Sequence, residues 1–322
     1  MSVPEPFDPP LYLRNPHLQT VFNSLGPRKL RAWLVERKLQ PEILTLQADD
    51  GTRLLAELDR PANRQKALII LIHGWEGSSR SSYLLTTAGR LLARGFDVLR
   101  VNLRDHGGSH HLNRELFNST RSPEVASALV NFISERDYHY KAIGGFSLGG
   151  SFALRIAADR GTDMNLHMAF GVCPPVDPAK AMNALNNGLR AYEQYFFRKW
   201  RDSLRRKLEC FPDFDYAVEL AEAKTLNDLN RIFIPQHTQY EQLDDYFAAY
   251  AITGDRLAGL AIPSYLIAAE DDPIIPVGDM ARIDQNENLH IEIHRYGGHC
   301  GFLENVAARS WVEARIVNLA LV

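Results

Sequence analysis

Cysteine is scarce: three residues in 322, Cys173, Cys210 and Cys300, far apart and in no CxxC pair. An odd, scattered set excludes a disulfide framework and a zinc knuckle, and a reducing compartment is the expected setting. No apolar run approaches the roughly 18 residues that a membrane-spanning helix needs. The opening segment MSVPEPFDPPLYLRNPHLQTVF places acids and prolines before any apolar stretch, so no secretory signal is expected and the cytoplasm is the expected location. A large excess of one sign of charge is also missing. The formal net charge is −3, which leaves no field to attract nucleic acid, and no nucleic-acid partner is expected. Internal repeats and low-complexity tracts are absent.

The sequence does hold enough apolar material for a large core, with 45% hydrophobic and 23% charged residues. Its length fits one large α/β domain carrying an insertion better than two independent domains. Residues 1–40 read as a Pro-rich arm ending in a helix near 27–38. EILTLQ (42–47) and TRLLAEL (52–58), joined by Asp49-Asp50-Gly51, read as a hairpin. Leu-Ile-Ile-Leu-Ile at 68–72 is a continuous aliphatic run rich in β-branched isoleucine, as expected of a strand buried on both faces. Strands at 96–101, 141–145, 166–172, 263–269 and 289–295 then alternate with helices near 81–94, 122–136, 148–159, 277–284 and 305–320. This alternation predicts a doubly wound, mainly parallel sheet. It stops between 178 and 260, a helix-prone stretch rich in aromatics that reads as a helical cap. The expected division is therefore an arm at 1–40, a core formed by 41–177 and 261–322, and a cap insertion at 178–260.

The chemistry-bearing residues sit where strands end. Gly145-Phe146-Ser147-Leu148-Gly149 follows an apolar strand and opens a helix, the context of a nucleophile on a tight strand-to-helix turn. Side chains two residues either side of Ser147 would collide there, so glycine is required. His299, in Gly297-Gly298-His299 after the last strand, is the candidate base. An orienting carboxylate is needed, and Ala269-Glu270-Asp271-Asp272-Pro273 offers three acids. His73-Gly74-Trp75-Glu76-Gly77 at the end of strand 68–72 suits an oxyanion hole built from the amides of Trp75 and Leu148. His73 itself is expected to be structural.

HGWEGSS, GFSLGG, AEDDPIIP and GGHCGF, in that order and spacing, resemble the α/β-hydrolase superfamily across nearly all of the chain except the cap. Three other segments are similar to its YheT-like, ABHD-type subfamily of predicted esterases and lipid hydrolases. They are Asn15-Pro16-His17-Leu18-Gln19-Thr20, the Asp49-Asp50-Gly51 turn leading to Leu58-Asp59, and Asn102-Leu103-Arg104-Asp105-His106-Gly107. NPHLQT has no general fold role, which makes the likeness specific. The resemblance implies a Ser147–His299–Asp272 triad, because the family's aspartate stands four residues before a proline, here Pro276; Asp271 is the runner-up. It implies hydrolysis of a small-molecule acyl or lipid-like ester through an acyl-enzyme, with no cofactor and no metal. An acyltransferase or thioesterase, a C–C bond hydrolase, and a catalytically idle binding module are the alternatives.

Other features have plainer readings. Asp105, His106, His110 and His111 read as a polar loop rather than a metal cluster. His17 reads as a structural tie between arm and core. Arg198-Lys199-Trp200-Arg201 and Arg205-Arg206-Lys207 read as a solvated helix face, with peripheral contact to anionic lipid as the other use of such a patch. The cap aromatics are expected to divide between the cap's own core and an acyl pocket. Cys300 is not expected to be a nucleophile. Oligomeric state is not legible.

Overall fold

The computed structural model describes residues 6–321; the first five residues of the expected arm, and Val322 at the end of the expected core, lie outside them. The chain runs through α1 (Pro16–Phe22), α2 (Pro27–Glu36), β1 (Glu42–Gln47), β2 (Arg53–Asp59), β3 (Ala67–Ile72), α3 (Ser82–Leu92), β4 (Asp97–Val101), α4 (Ser122–Ser134), β5 (Tyr140–Phe146), α5 (Leu148–Arg160) and β6 (Met168–Val172). It continues through α6 (Pro178–Asn187), α7 (Arg190–Cys210), α8 (Ala217–Glu222), α9 (Leu226–His237), α10 (Leu243–Ala249), β7 (Ser264–Ala269), β8 (Leu289–His294) and α11 (Trp311–Ala320). The eight strands form one sheet in the order β1-β2-β4-β3-β5-β6-β7-β8. Only β2 runs against the sheet, pairing antiparallel with both β1 and β4, and the strands from β4 across to β8 are parallel. Every residue of β3, β4, β6 and β7 is buried, because helices cover both faces of a parallel sheet. Separate apolar clusters fill the two faces.

The hairpin turns at Gly51, whose φ of 85° suits glycine. All of the parallel strands deliver their carboxyl ends to one edge, where the loops after β3, β5, β7 and β8 meet. In a doubly wound sheet this edge is where ligands bind. Five helices, α6 to α10, stand between β6 and β7. Of these, α7, α8 and α9 share a core of their own that includes Phe197, Leu204, Tyr216, Leu229 and Phe233, whereas α6 and α10 pack into the core of the sheet through Ala181, Leu185, Tyr246 and Phe247.

Three local expectations change. The helix expected near 305–320 begins only at Trp311. The residues before it are wound into a loop through positive φ at Gly298, Cys300, Phe302 and Ala308. The expected helix at 277–284 is a 3-10 turn, Val277–Arg282. Finally, α1 was not expected. Asn15 caps it by accepting hydrogen bonds from the amides of His17 and Leu18 at 2.9 and 3.2 Å, with Pro16 at the first helical position.

The basic run on α7 is not uniformly solvated. Lys207 is fully buried, with Nζ 2.7 Å from Asp105 Oδ1, and donates to the carbonyls of His110 and Asn113. Trp200 and Phe197 of the same helix turn inward. The arm is anchored by charge: buried Arg28 on α2 lies 2.8 Å from Glu313 on α11, which also receives Arg90 at 2.9 Å. Among the described residues, no helix is long and apolar enough to cross a membrane.

Candidate active site

Ser147 sits between β5 and α5 with φ 53° and ψ −125°, a conformation that costs a non-glycine residue strain. Its amide donates to the Val172 carbonyl at 2.7 Å and fixes the turn to the neighbouring strand. The glycines are there for close approach. A Cβ at Gly145 would lie 2.3 Å from the Gly149 carbonyl oxygen, and one at Gly149 would lie 2.3 Å from that of Ile72.

His299 reaches Ser147 from the wound loop after β8. Its Nε2 is 2.9 Å from Ser147 Oγ, and its Nδ1 is 2.8 Å from Asp272 Oδ2. A carboxylate can only accept, so Nδ1 carries the proton and Nε2 is free to accept from the serine hydroxyl. The other oxygen of Asp272 accepts from the amides of Ile274 and Ile275 at 2.8 and 3.0 Å. Asp271 points elsewhere. Its Oδ1 accepts from the Gly298 amide at 2.8 Å, bracing the histidine loop from behind, and burial pushes its carboxyl up from the usual range.

Burial disfavours the His299 imidazolium, but the charge of the hydrogen-bonded Asp272 outweighs it, and the pKa lies well above 6.5. Nucleophilic attack needs neutral imidazole. Activity should therefore rise with pH through an apparent pKa above 6.5 and be lost below it. In Asp272→Asn the residual activity should show that limb displaced to lower pH, since the raising charge is gone. A kcat/KM profile of both forms checks this; a limb that stays in place would assign it to another group.

The loop after β3 faces the nucleophile across the sheet. A Cβ on Gly74 would be 3.2 Å from Ser147 Cβ. The Gly74 amide donates to the Tyr83 hydroxyl at 3.0 Å, and the Glu76 amide donates to His106 Nε2 at 3.1 Å. Between them the Trp75 amide has no acceptor among the described residues, and neither has the Leu148 amide at the start of α5. Trp75 is held by stacking on Phe196, with centroids 5.2 Å apart.

Two neutral histidines support this loop. His73 hydrogen-bonds the Gly74 carbonyl through Nδ1 and accepts from the Leu103 amide through Nε2. Burial holds its pKa at about 3 and that of His106 at about 4. Neither is an acid or base near pH 7. His106 Nδ1 is 2.7 Å from the Arg104 carbonyl, and His110 Nε2 is 2.9 Å from Ser203 Oγ. The Asn102–Gly107 segment is thus a brace under the loop. Glu76 was not singled out from sequence. Burial raises its carboxyl to about 8, so it is protonated at pH 7 and places no negative charge beside Trp75.

The arm reaches this site too, and sequence reading left that role open. Thr20 Oγ1 accepts from the His299 amide at 2.9 Å. Gln19 accepts from the Leu303 amide at 2.6 Å and donates to the carbonyls of Leu13 and Leu303. His17 Nδ1 is 2.9 Å from the Tyr192 hydroxyl on α7. The signal was present in NPHLQT, where Asn15 and Pro16 have a local use in starting the helix but the buried Gln19 has none.

Ser147 opens into a solvent-connected cleft between the sheet edge and the five-helix insertion. Met182, Leu185, Phe196, Ile234, Phe247 and Ile274 give it an apolar wall. Cys300 lies behind His299, with Sγ directed at the Val172 carbonyl and away from the cleft.

Comparison with known proteins bears on the fold. Residues 69–309 match the profile of the Alpha/beta hydrolase family. An "Abhydrolase domain-containing protein" of Dictyostelium discoideum is 25% identical over 97% of this chain and 80% of its own length. The "Monoacylglycerol lipase" of Saccharomyces cerevisiae is 24% identical over 76% of this chain and 57% of its own. "Phospholipase ABHD3" of Mus musculus is 23% identical over 75% and 59%. The chain thus spans less than two thirds of the lengths of these two lipases. Among solved structures, the Pyrococcus furiosus esterase Pf2001 superimposes with a TM-score of 0.58 at 14% identity, over 88% of this chain and 92% of that one. A 2,6-dihydroxy-pseudo-oxynicotine hydrolase gives 0.59 at 16% identity, over 91% and 72%. With its profile match, its sheet order and its nucleophile turn, the chain belongs to the α/β hydrolase family.

Proposed function

We propose that the chain is a serine hydrolase of carboxylic esters with an apolar, lipid-like acyl group. The observation that carries this reading is the unbroken line Ser147–His299–Asp272 beside two amides without acceptors, all opening into one apolar cleft. Ser147 attacks the ester carbonyl while His299 takes its proton. The Trp75 and Leu148 amides receive the oxyanion, each such donor typically worth on the order of 3 kcal/mol in the transition state. His299 then protonates the leaving alcohol, and water deacylates the serine by the same route. Asp272 holds the imidazole tautomer and stabilises its cation. Relatives named as a monoacylglycerol lipase and a phospholipase support a lipid-like substrate. In this reading residues 178–260 are the cap that forms the acyl wall, 41–177 and 261–322 are the core, and 1–40 is an arm that steadies the base.

Labelling with a fluorophosphonate, read by mass spectrometry, tests the reading. The probe should modify Ser147 of the wild type and nothing in Ser147→Ala. A folded wild type that is never labelled would remove it.

A further inference from the structure

Half of the large apolar side chains exposed among the described residues, eight of sixteen, lie between positions 11 and 34. Leu18 and Val21 on α1, with Leu25 just beyond it, recur at helical spacing on the outer side. On α2, Leu30, Trp33 and Leu34 stand at i, i+3 and i+4, and are 59%, 47% and 48% exposed. The opposite side of α2 is used up: Arg28 and Ala32 are buried, and Val35 meets Gly89 of α3. Two consecutive helices therefore turn apolar faces outward with none of the described residues over them. Scattered surface hydrophobes are normal, whereas such a concentration marks an interaction surface.

Charge tells what covers it. Between residues 6 and 38 the arm has six cations and two acids, on a chain whose net charge is −3. Of the acids, Asp8 pairs with Arg14, and Glu36 faces Arg80. Exposed Lys29, Arg37 and Lys38 have no carboxylate partner among the described residues, and Arg37 lies over the Trp33 ring at 4.7 Å. Apolar side chains with tryptophan at the centre and basic residues at the rim are what a lipid interface selects. A second copy of the chain would set these cations against their own kind across a two-fold axis. The basic run on α7, by contrast, exposes a single aromatic, Tyr195, while Phe196, Phe197 and Trp200 turn inward.

We propose that the arm, α1 through α2, is a docking surface that seats the protein on an anionic bilayer. The docking does not rest on the hydrolase reading. The inner side of α1 holds the His299 loop through Thr20 and Gln19. One helix diameter, about 10 Å, separates the outward side chains of α1 from the loop that carries His299.

Vesicle flotation tests this with phosphatidylcholine vesicles, alone and mixed with phosphatidylglycerol. Wild type should float with the mixed vesicles. The triple variant Leu30→Ser, Trp33→Ser, Leu34→Ser should lose more than about tenfold in partitioning. Lys29→Glu with Lys38→Glu should lose the preference for anionic vesicles. The triple variant should still hydrolyse a water-soluble ester at the wild-type rate. Wild type that stays with the buffer, a triple variant that floats as wild type does, or a wild-type dimer that the triple variant makes monomeric would each overturn the proposal. Wild type that floats but hydrolyses no soluble ester would uphold docking and remove the hydrolase reading.

Discussion

Asp272→Asn should lower kcat/KM on a soluble ester by about 10⁴-fold, and Asp271→Asn by less than about tenfold. The two carboxylates are adjacent in sequence and differ in what they face. Asp272 Oδ2 accepts the Nδ1 proton of His299, and its other oxygen is fixed by two backbone amides. An asparagine at 272, held by the same amides, presents an NH2 group to Nδ1. The imidazole then keeps its proton on Nε2 and has no lone pair for the Ser147 hydroxyl. Asp271 contributes one acceptor to the Gly298 amide, and an asparagine carbonyl accepts that bond equally well. Steady-state kinetics on both variants, with circular dichroism to confirm folding, settle the pair. A larger loss in Asp271→Asn would exchange the two roles.

This pair also marks where sequence reading stops. The nucleophile was legible because its requirements are local. A buried strand, a helix start and glycines two residues either side of Ser147 all lie within a few positions. The acid was narrowed to neighbouring carboxylates, but which one meets His299 depends on a turn closed by Ile274 and Ile275, and residue types do not encode that. Strand-helix alternation was legible for the same reason as the nucleophile, since continuous aliphatic runs are buried whatever packs on them. The failures lie where distant partners decide. Lys207 reads as part of a solvated basic face until Asp105, far away in sequence, is brought to 2.7 Å. Gln19 and Thr20 bond to Leu303 and His299 at the other end of the chain. The segment before Trp311 has helical composition, yet left-handed residues and the Ser310 hydroxyl on the Gly301 carbonyl hold it as a loop.

Gly149→Ala separates intrinsic preference from fit at the nucleophile turn. Gly149 lies in the first turn of α5, where alanine is favoured over glycine by about 1 kcal/mol. Helix propensity alone therefore predicts a more stable protein. The neighbouring strand argues the other way: the added Cβ would stand 2.3 Å from the Ile72 carbonyl oxygen and 2.4 Å from that of His73. These are backbone atoms of the central sheet and the loop that carries Trp75. They cannot rotate away as a side chain tip can, so α5 must lift from β3, carrying Ser147 and the Leu148 amide with it. A loss of more than about 3 kcal/mol is expected, together with loss of fluorophosphonate labelling in whatever fraction still folds. Gly278→Ala is the control. It has open space around its Cβ position and a φ open to any residue, and should change stability by no more than about 0.5 kcal/mol. Denaturant midpoints of the two variants against wild type decide the matter. A Gly149→Ala midpoint at or above wild type would mean that helix and strand tolerate greater separation, and that the glycine is not what holds Ser147 against the sheet.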